Sequence, residues 1–155
     1  MRQGLVNIDT KWQGEEIKIR GKKVIGKTTF ETGLVVEGQA KLLCAIRYGY
    51  LAASINTQSK DEGTDLTNPS DYSKETPPDG HNVESFRLIT KPDDDKEVLV
   101  GTAVDYGPHI EFGTYKMDAQ PFLRPSLDLA KGRVLKIGLK NAKYYFKNYL
   151  VAGAI

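Results

Sequence analysis

The chain has few of the residues on which disulfide frameworks and metal sites depend. Its 155 residues include one cysteine, Cys44, and two histidines, His81 and His109. A single cysteine cannot form an internal disulfide, and the two histidines lack the close His or Cys spacing of zinc sites. We therefore expect no metal, no cofactor and no dependence on an oxidising compartment.

Long apolar runs and catalytic signatures are also missing. The longest apolar runs have four or five residues, too few to span a membrane, and the first residues lack the apolar core of a signal peptide. The sequence contains no phosphate-binding loop and no G-x-S-x-G. Asp93, Asp94 and Asp95 are adjacent, unlike the alternating ligands of a calcium loop. We predict that they form a solvated turn and that the protein is not an enzyme.

The composition fits one domain over residues 1–155. Hydrophobic residues make up 39% and charged residues 27% of the chain, which is close to the usual balance of globular domains. Residues 1–50 have nine basic and five acidic side chains, a charge of +4. Residues 51–100 have five basic and eleven acidic side chains, a charge of −6, and residues 101–155 have eight basic and four acidic side chains, a charge of +4. A difference between solvated loops and helix faces is the simplest explanation.

The first half of the chain contains one ambiguous segment and one long loop. Residues 15–46 begin with the strand-like alternation EEIKIR, whereas the apolar residues that follow recur at helical spacings. Glycines at positions 14, 21, 26, 33 and 38 weaken a helix here or mark close approach to a neighbouring element. Residues 47–56 alternate like a strand. Residues 57–82 are polar, and we expect this long loop to become ordered only on assembly with a partner.

The second half contains two predicted strands and a final helix. Residues 83–90 and 97–106 alternate on either side of the turn KPDDDK and predict a β-hairpin. From Pro125 onward the pattern is helical. An apolar stripe with helical spacing is predicted to pack in the core; its members are Leu135, Leu139, Ala142, Phe146 and Tyr149. The intervening lysines form a solvated face or, alternatively, a face that binds phosphates.

Residues 105–127, DYGPHIEFGTYKMDAQPFLRPSL, are the most distinctive stretch. A Gly-Pro pair ends the second strand, residues 109–112 form a short extended or helical piece, and Gly113 and Thr114 turn the chain. Pro125 suits the first turn of a helix, where its missing N–H is not needed. So many specialised residues in one connection indicate a defined shape or an interaction surface.

This stretch resembles the signature of the gene-product-ten-like family, the neck and tail-completion proteins of long-tailed phages. The matching segments are YGP at residues 106–108, EFGT at residues 111–114 and AQPFLRPS at residues 119–126. A weaker match, to a Gly-x-Leu-x-x-Ser-Ile segment, consists of Gly49, Leu51, Ser54 and Ile55, without the family's preceding proline. The resemblance implies an α+β fold with an N-terminal helix, a small antiparallel β-sheet with long loops, and a C-terminal amphipathic helix.

The resemblance also implies a virion protein that acts by assembly. Identical copies would form a ring at the head–tail junction, assembled in the host cytoplasm, beside head-closure or connector proteins and tail-tube or terminator proteins. Packaged DNA would pass through the lumen without specific binding, and no membrane is involved. One alternative is a tail terminator that caps the tail tube. Another, from a different class, is a nucleic-acid-binding module that uses the lysine-rich last helix.

Rings are built from heterologous contacts, in which one patch meets a different patch on the next copy. We hypothesise that one such patch comprises Glu111, Phe112, Gly113, Thr114, Gln120, Pro121, Phe122, Leu123, Arg124 and Pro125. In this hypothesis Phe112 and Phe122 are apolar anchors and Arg124 binds an acidic neighbour, because aromatic residues and arginine often dominate interfaces. The alternative is that both phenylalanines and Leu123 pack under the last helix and Arg124 pairs locally.

Overall fold

The fold has a long helix at either end and a small sheet between them. The structure is a computed structural model that describes residues 14–44, 49–60, 63, 91–102 and 104–152, with side chains as far as residue 147. In chain order its elements are α1 (Gly14–Leu43), α2 (Tyr50–Ser54), β1 (Asn56–Gln58), β2 (Leu99–Gly101), α3 (Gly107–Phe112) and α4 (Leu123–Ala152). The predicted α+β class is confirmed.

In the ambiguous segment at residues 15–46, helix α1 extends as far as Leu43. Glu15 and Glu16 lie in its first turn and Lys41 lies in its last, which suits the helix dipole. Ion pairs one turn apart join Arg20 Nη2 to Glu16 Oε1 and Lys41 Nζ to Glu37 Oε1, both at 2.7 Å. The strand-like alternation of EEIKIR is overridden because these pairs and the packing of a 30-residue helix act together.

Helices α1 and α4 pack antiparallel to each other. Near the start of α1, Arg20 Nη1 donates a hydrogen bond to the Tyr145 carbonyl oxygen at 2.8 Å. Further along α1, Asn141 Nδ2 lies 3.3 Å from Thr28 Oγ1 and 3.2 Å from Glu31 Oε2. Each helix has 30 residues and is therefore about 45 Å long. None of the helices in the described part of the chain is both long and apolar enough to cross a membrane.

The strand prediction for residues 47–56 is wrong over α2. Residues 50–54 form a helix that begins after Gly49, whose φ of 78° is in the left-handed region. Leu51, Ala52 and Ala53 are good helix formers and are buried on every side, so the apparent alternation does not mark an exposed face. The strand begins only at β1, which pairs antiparallel with β2 and places residue 56 opposite residue 101.

Strand β2 is shorter than the strand predicted at residues 97–106. Of the predicted strand at residues 97–106, only Leu99–Gly101 is a strand, and it pairs with β1. Residues 83–90 lie outside the described residues, so the hairpin stays a prediction. The turn at residues 91–96 is confirmed: Lys96 N donates to Asp94 Oδ1 at 3.1 Å. That hydrogen bond holds the pKa of Asp94 below its usual value. Two residues of the predicted loop at 57–82 belong to β1, and most of the others lie outside the described residues.

The core lies where the end of α1 meets α2, β2 and the start of α4. Its fully or nearly fully buried members are Ala40, Cys44, Leu51, Ala52, Ile55 and Phe122. Burial raises the pKa of the Cys44 thiol, so this cysteine behaves as a small apolar residue. The weaker family match at residues 49–55 therefore falls on residues that build this core.

The apolar stripe predicted on the last helix does not pack in the core at two of its positions, Leu135 and Leu139, whereas Ala142 and Phe146 are half-buried and the side chain of Tyr149 lies outside the described residues. Leu135 is 71% exposed and Leu139 is also exposed, whereas the buried positions of α4 include Ala130 and Asn141. At 3.6 residues per turn, Leu135 and Leu139 lie roughly 150° around the helix from these positions. The prediction failed at Leu135 and Leu139 because α4 packs against α1 through small and polar residues such as Asn141. The helix also begins at Leu123, two residues before the predicted start.

We expect Gly33 in α1 to be required for packing of the sheet. A Cβ atom at this position would lie 2.7 Å from Thr57 Cγ2 and 2.8 Å from Val98 Cγ2, and both are stiff β-branched side chains. Gly33→Ala should therefore lower the free energy of unfolding by about 1–2 kcal/mol in urea titrations. Gly38→Ala is the control, because no atom lies within 4 Å of its Cβ position; it should raise stability by about 0.5–1 kcal/mol. Equal gains in both variants would contradict this packing.

Candidate protein interaction site

Glu111 joins the two halves of the EFGT and FLRP stretch. Its buried carboxylate accepts hydrogen bonds from the backbone N–H groups of Phe122 at 2.7 Å, Leu123 at 2.9 Å and Arg124 at 3.2 Å. These are N–H groups at the start of α4, which have no carbonyl partner within the helix. A side chain from α3 therefore caps α4, and the two helices are held in one relative orientation.

The environment of Glu111 favours its charged form. Burial on its own raises the pKa of this carboxyl group, but the three backbone N–H donors and the positive charge of Arg124 outweigh it. The pKa of Glu111 therefore lies below its ordinary value of 4.5. The positive end of the α4 dipole acts in the same direction.

A short turn projects between the two helices. Gly113 ends α3 with a φ of 75°, and a Cβ there would lie 2.8 Å from Ala119 N, so only glycine fits without strain. Thr114 and Met117 then exchange two backbone hydrogen bonds, of 2.9 and 3.2 Å. The chain returns where Gln120 N donates to the Ile110 carbonyl oxygen at 2.8 Å. We call residues 114–117 the Tyr115 tip, because the side chain of Tyr115 at its end is 92% exposed.

A groove lies beside this turn. The ring of Phe112 is 61% exposed, and Arg124 stacks on it with Cζ 4.5 Å from the ring centroid, a favourable cation–π geometry. The groove measures about 560 Å³. We call it the motif groove; it is lined mainly by Leu43, Phe112, Pro121, Arg124, Pro125 and Leu129. Its surface is therefore largely apolar, with one stacked guanidinium group at the rim.

The structure divides the predicted patch into outward and inward residues. Phe112, Pro121, Arg124 and Pro125 line the motif groove together. Phe122 is fully buried in the core and Leu123 packs against it. The alternative proposed for Phe122 is therefore the one that fits, because this ring fills the space between α1 and α2 and cannot anchor a partner.

The remaining predicted residues shape the site rather than line it. Gly113 and Thr114 set the base of the Tyr115 tip, and Gln120 closes the loop through its backbone.

Two residues that line the motif groove, Leu43 and Leu129, were not predicted from the sequence. Leu129 carried a usable signal, because it follows Pro125 by four residues on one helix face. Leu43 carried none, since it comes from the far end of α1 through tertiary packing.

The side chains that commonly bind metal ions are scattered over the described residues. No group of three His, Cys, Asp or Glu side chains in this part of the chain is placed to hold a metal ion. His109 lies exposed on α3, and His81 lies outside the described residues. An aromatic surface, an arginine and a braced turn are features that bind protein surfaces.

We expect truncation of Phe122 to cost much more stability than truncation of Phe112. Phe122→Ala should lower the free energy of unfolding by about 3–5 kcal/mol, because it leaves a cavity in the core. Phe112→Ala is the matched control and should cost less than about 1 kcal/mol, since it loses only a contact at the surface. Chemical denaturation of both variants measures the difference. A loss for Phe112→Ala as large as that for Phe122→Ala would contradict the assignment of Phe112 to the surface.

We expect the Glu111 cap to make stability depend on pH. Because the folded pKa lies below the ordinary value of 4.5, the stabilisation is fully present above that value and is lost as pH falls through the folded pKa. Glu111→Gln should be about 2 kcal/mol less stable than the wild type at pH 7, and the gap should close at low pH. Glu111→Asp keeps the charge but is too short for all three donors, so it should also be destabilised. A gap that is constant with pH would rule out this role of the charge.

Comparison with known proteins adds no further identification. No protein-family model matches the chain, and neither a curated protein nor a solved structure shows significant similarity to it.

Proposed function

We propose that this chain is a structural protein of a tailed phage, a ring-forming neck or tail-completion component that joins the DNA-filled head to the tail. The observation that carries the proposal is the Glu111 cap. It ties together the two separate halves of the phage-like signature, EFGT and FLRP, through hydrogen bonds of 2.7–3.2 Å. The cap therefore brings outward-facing residues of both halves, such as Phe112 and Arg124, into one groove that an assembly partner can contact.

The geometry of this surface suits assembly between folded subunits. Phe112 and Tyr115 are exposed aromatic side chains on a braced backbone, so little conformational entropy remains to be lost on binding. Arg124 stacks on Phe112, and its guanidinium group has several N–H donors that can bind a carboxylate of a neighbouring subunit. Rings join unlike patches, and the apolar anchors in this role are Phe112 and Tyr115, because Phe122 belongs to the core.

Two other functions remain as alternatives. A tail terminator would use the same signature and the same surface, so the geometry favours neither role over the other. A nucleic-acid-binding module is favoured by one observation: an exposed row of lysines one turn apart along α4, which consists of Lys136, Lys140, Lys143 and Lys147. Such a row can follow phosphates, although aromatic side chains interleaved with it would be needed to bind single strands.

Electron microscopy of a phage that lacks this chain tests the proposal. Full heads beside separate tails of normal length are the expected result, because the head and the tail then assemble but do not join. Overlong tails beside full heads would identify a terminator instead. Intact, infectious particles would contradict both phage roles and direct attention to the lysine row of α4.

Complementation supplies the matched control for this experiment. Wild-type protein supplied in trans should restore joined particles, and a chain with both Phe112→Ala and Arg124→Ala should restore far fewer. Tyr144→Ala should restore them fully, because Tyr144 is also an exposed aromatic residue but lies on α4 away from the motif groove.

A further inference from the structure

The Tyr115 tip is an exposed knob on a rigid support. Tyr115 is the most exposed large apolar side chain among the described residues. Its backbone is held by the Thr114–Met117 hydrogen bonds, and Lys116 N donates to Thr114 Oγ1 at 3.2 Å. Lys116 Nζ lies 5.1 Å from the centroid of the tyrosine ring. An aromatic side chain presented in this way loses little freedom when it enters a pocket.

The motif groove has the size and lining to receive such a side chain. Its volume of about 560 Å³ lies in the range of pockets that bind small molecules and exceeds the needs of one tyrosine ring. Leu43, Pro121 and Leu129 provide apolar walls, and Phe112 provides an aromatic one. Offset or edge-to-face contact between two aromatic rings adds to the burial of apolar area. Because Tyr115 is 92% exposed, it does not occupy the groove of its own subunit.

The charges around the knob and the groove are complementary. The tip carries Lys116 and, one residue beyond it, Asp118, and both are exposed. The charged residues that line the groove are Arg124, Asp128 and Glu111, and the carboxylate of Glu111 is engaged in the cap of α4. A tip that enters the groove can therefore set Asp118 against Arg124, and Lys116 against Asp128, whose Oδ1 lies 2.6 Å from Lys131 Nζ within the subunit. Charges at a rim set orientation and partner choice more than affinity.

We propose that the Tyr115 tip of one copy of this chain inserts into the motif groove of a second copy. The inference rests on the proposed ring assembly, since it names the two patches that meet. The tip and the groove are different patches of one subunit, so each copy donates one tip and accepts another. Contacts of this heterologous kind continue from copy to copy until they close.

The contact is expected to be weak between free subunits. One aromatic side chain and a few rim residues bury less area than a standard stable interface. Self-association should therefore appear only at high protein concentration, and ring closure would strengthen it by linking every subunit through two contacts. Measurements must reach concentrations on the order of 1 mM to detect it.

The test is sedimentation equilibrium of the full chain and of two complementary variants. Tyr115→Ala removes the aromatic side chain of the Tyr115 tip and leaves the motif groove unchanged. Leu129→Glu places a charge in the apolar motif groove and leaves the Tyr115 tip unchanged. Each variant alone should associate at least tenfold more weakly than the wild type. An equimolar mixture should form pairs with the affinity of a wild-type contact and grow no further, because only one knob and one groove can meet.

Matched controls separate this contact from general effects of the substitutions. Tyr144→Ala and Leu135→Glu repeat the same changes on α4 outside the groove, at side chains that are 77% and 71% exposed, and both should associate like the wild type. Circular dichroism should show that every variant is folded, which is expected because the altered side chains lie at the surface.

Three results would overturn the proposal. A wild-type chain that stays monomeric at the highest concentration would rule out the contact. A mixture that fails to pair would show that the knob and the groove do not meet. Loss of association in Leu135→Glu, with Leu129→Glu unaffected, would move the contact to the outer face of α4. None of these results decides the phage role, which is tested separately by the appearance of particles that lack the chain.

Discussion

The buried carboxylate of Glu111 is the interaction on which the arrangement of the C-terminal half depends. A buried charge is costly unless it is fully hydrogen-bonded, and the first N–H groups of a helix are left without acceptors. At the start of α4 the carboxylate accepts hydrogen bonds from these N–H groups, with N···O distances of 2.7–3.2 Å, so both are satisfied. Because the carboxylate comes from α3, the cap also sets where Gly113 turns the chain outward and where Phe122 enters the core. The cap therefore orders the site and the core at once.

This cap separates structural duties from binding duties within one short stretch. Residues that face inward hold the backbone: Phe122 fills the core, and Gln120 N ties the returning chain to Ile110. Residues that face outward keep their side chains for a partner: Phe112 lies under Arg124, and Tyr115 stands clear of the surface. Alternation between the two duties explains why so many residue types with narrow conformational or chemical roles occur in a single connection. A site of this kind is pre-organised, and binding to it does not require the loop to fold first.

The sequence allowed the fold class to be predicted through a resemblance, and the final helix through a local apolar pattern. It did not allow the inner face of α4 to be predicted. The stripe that contains Leu135 has a regular helical spacing, yet the helix packs through Ala130 and Asn141. Small and polar residues carry no periodic apolar signal, and their burial follows from the close approach of α1. The same limit applies to α2, because its residues are buried on every side and their alternation in the sequence is therefore no evidence of a strand. It also applies to Leu43, which reaches the groove only through tertiary packing.

Charge also constrains how copies of this chain can meet. Beyond Asp128 the chain has six basic residues and no acidic ones, namely Lys131, Arg133, Lys136, Lys140, Lys143 and Lys147. Two α4 helices placed face to face would bring these rows together, and like charges opposite each other are unfavourable. The Tyr115 tip with the adjacent Asp118 avoids this conflict, as does the motif groove, because each of these surfaces carries charges of both signs. In the proposed phage role, the exposed stripe and the lysines of α4 then remain for a neighbour of different, acidic chemistry. A joining protein needs both kinds of surface, one for its own copies and one for the next protein in the particle.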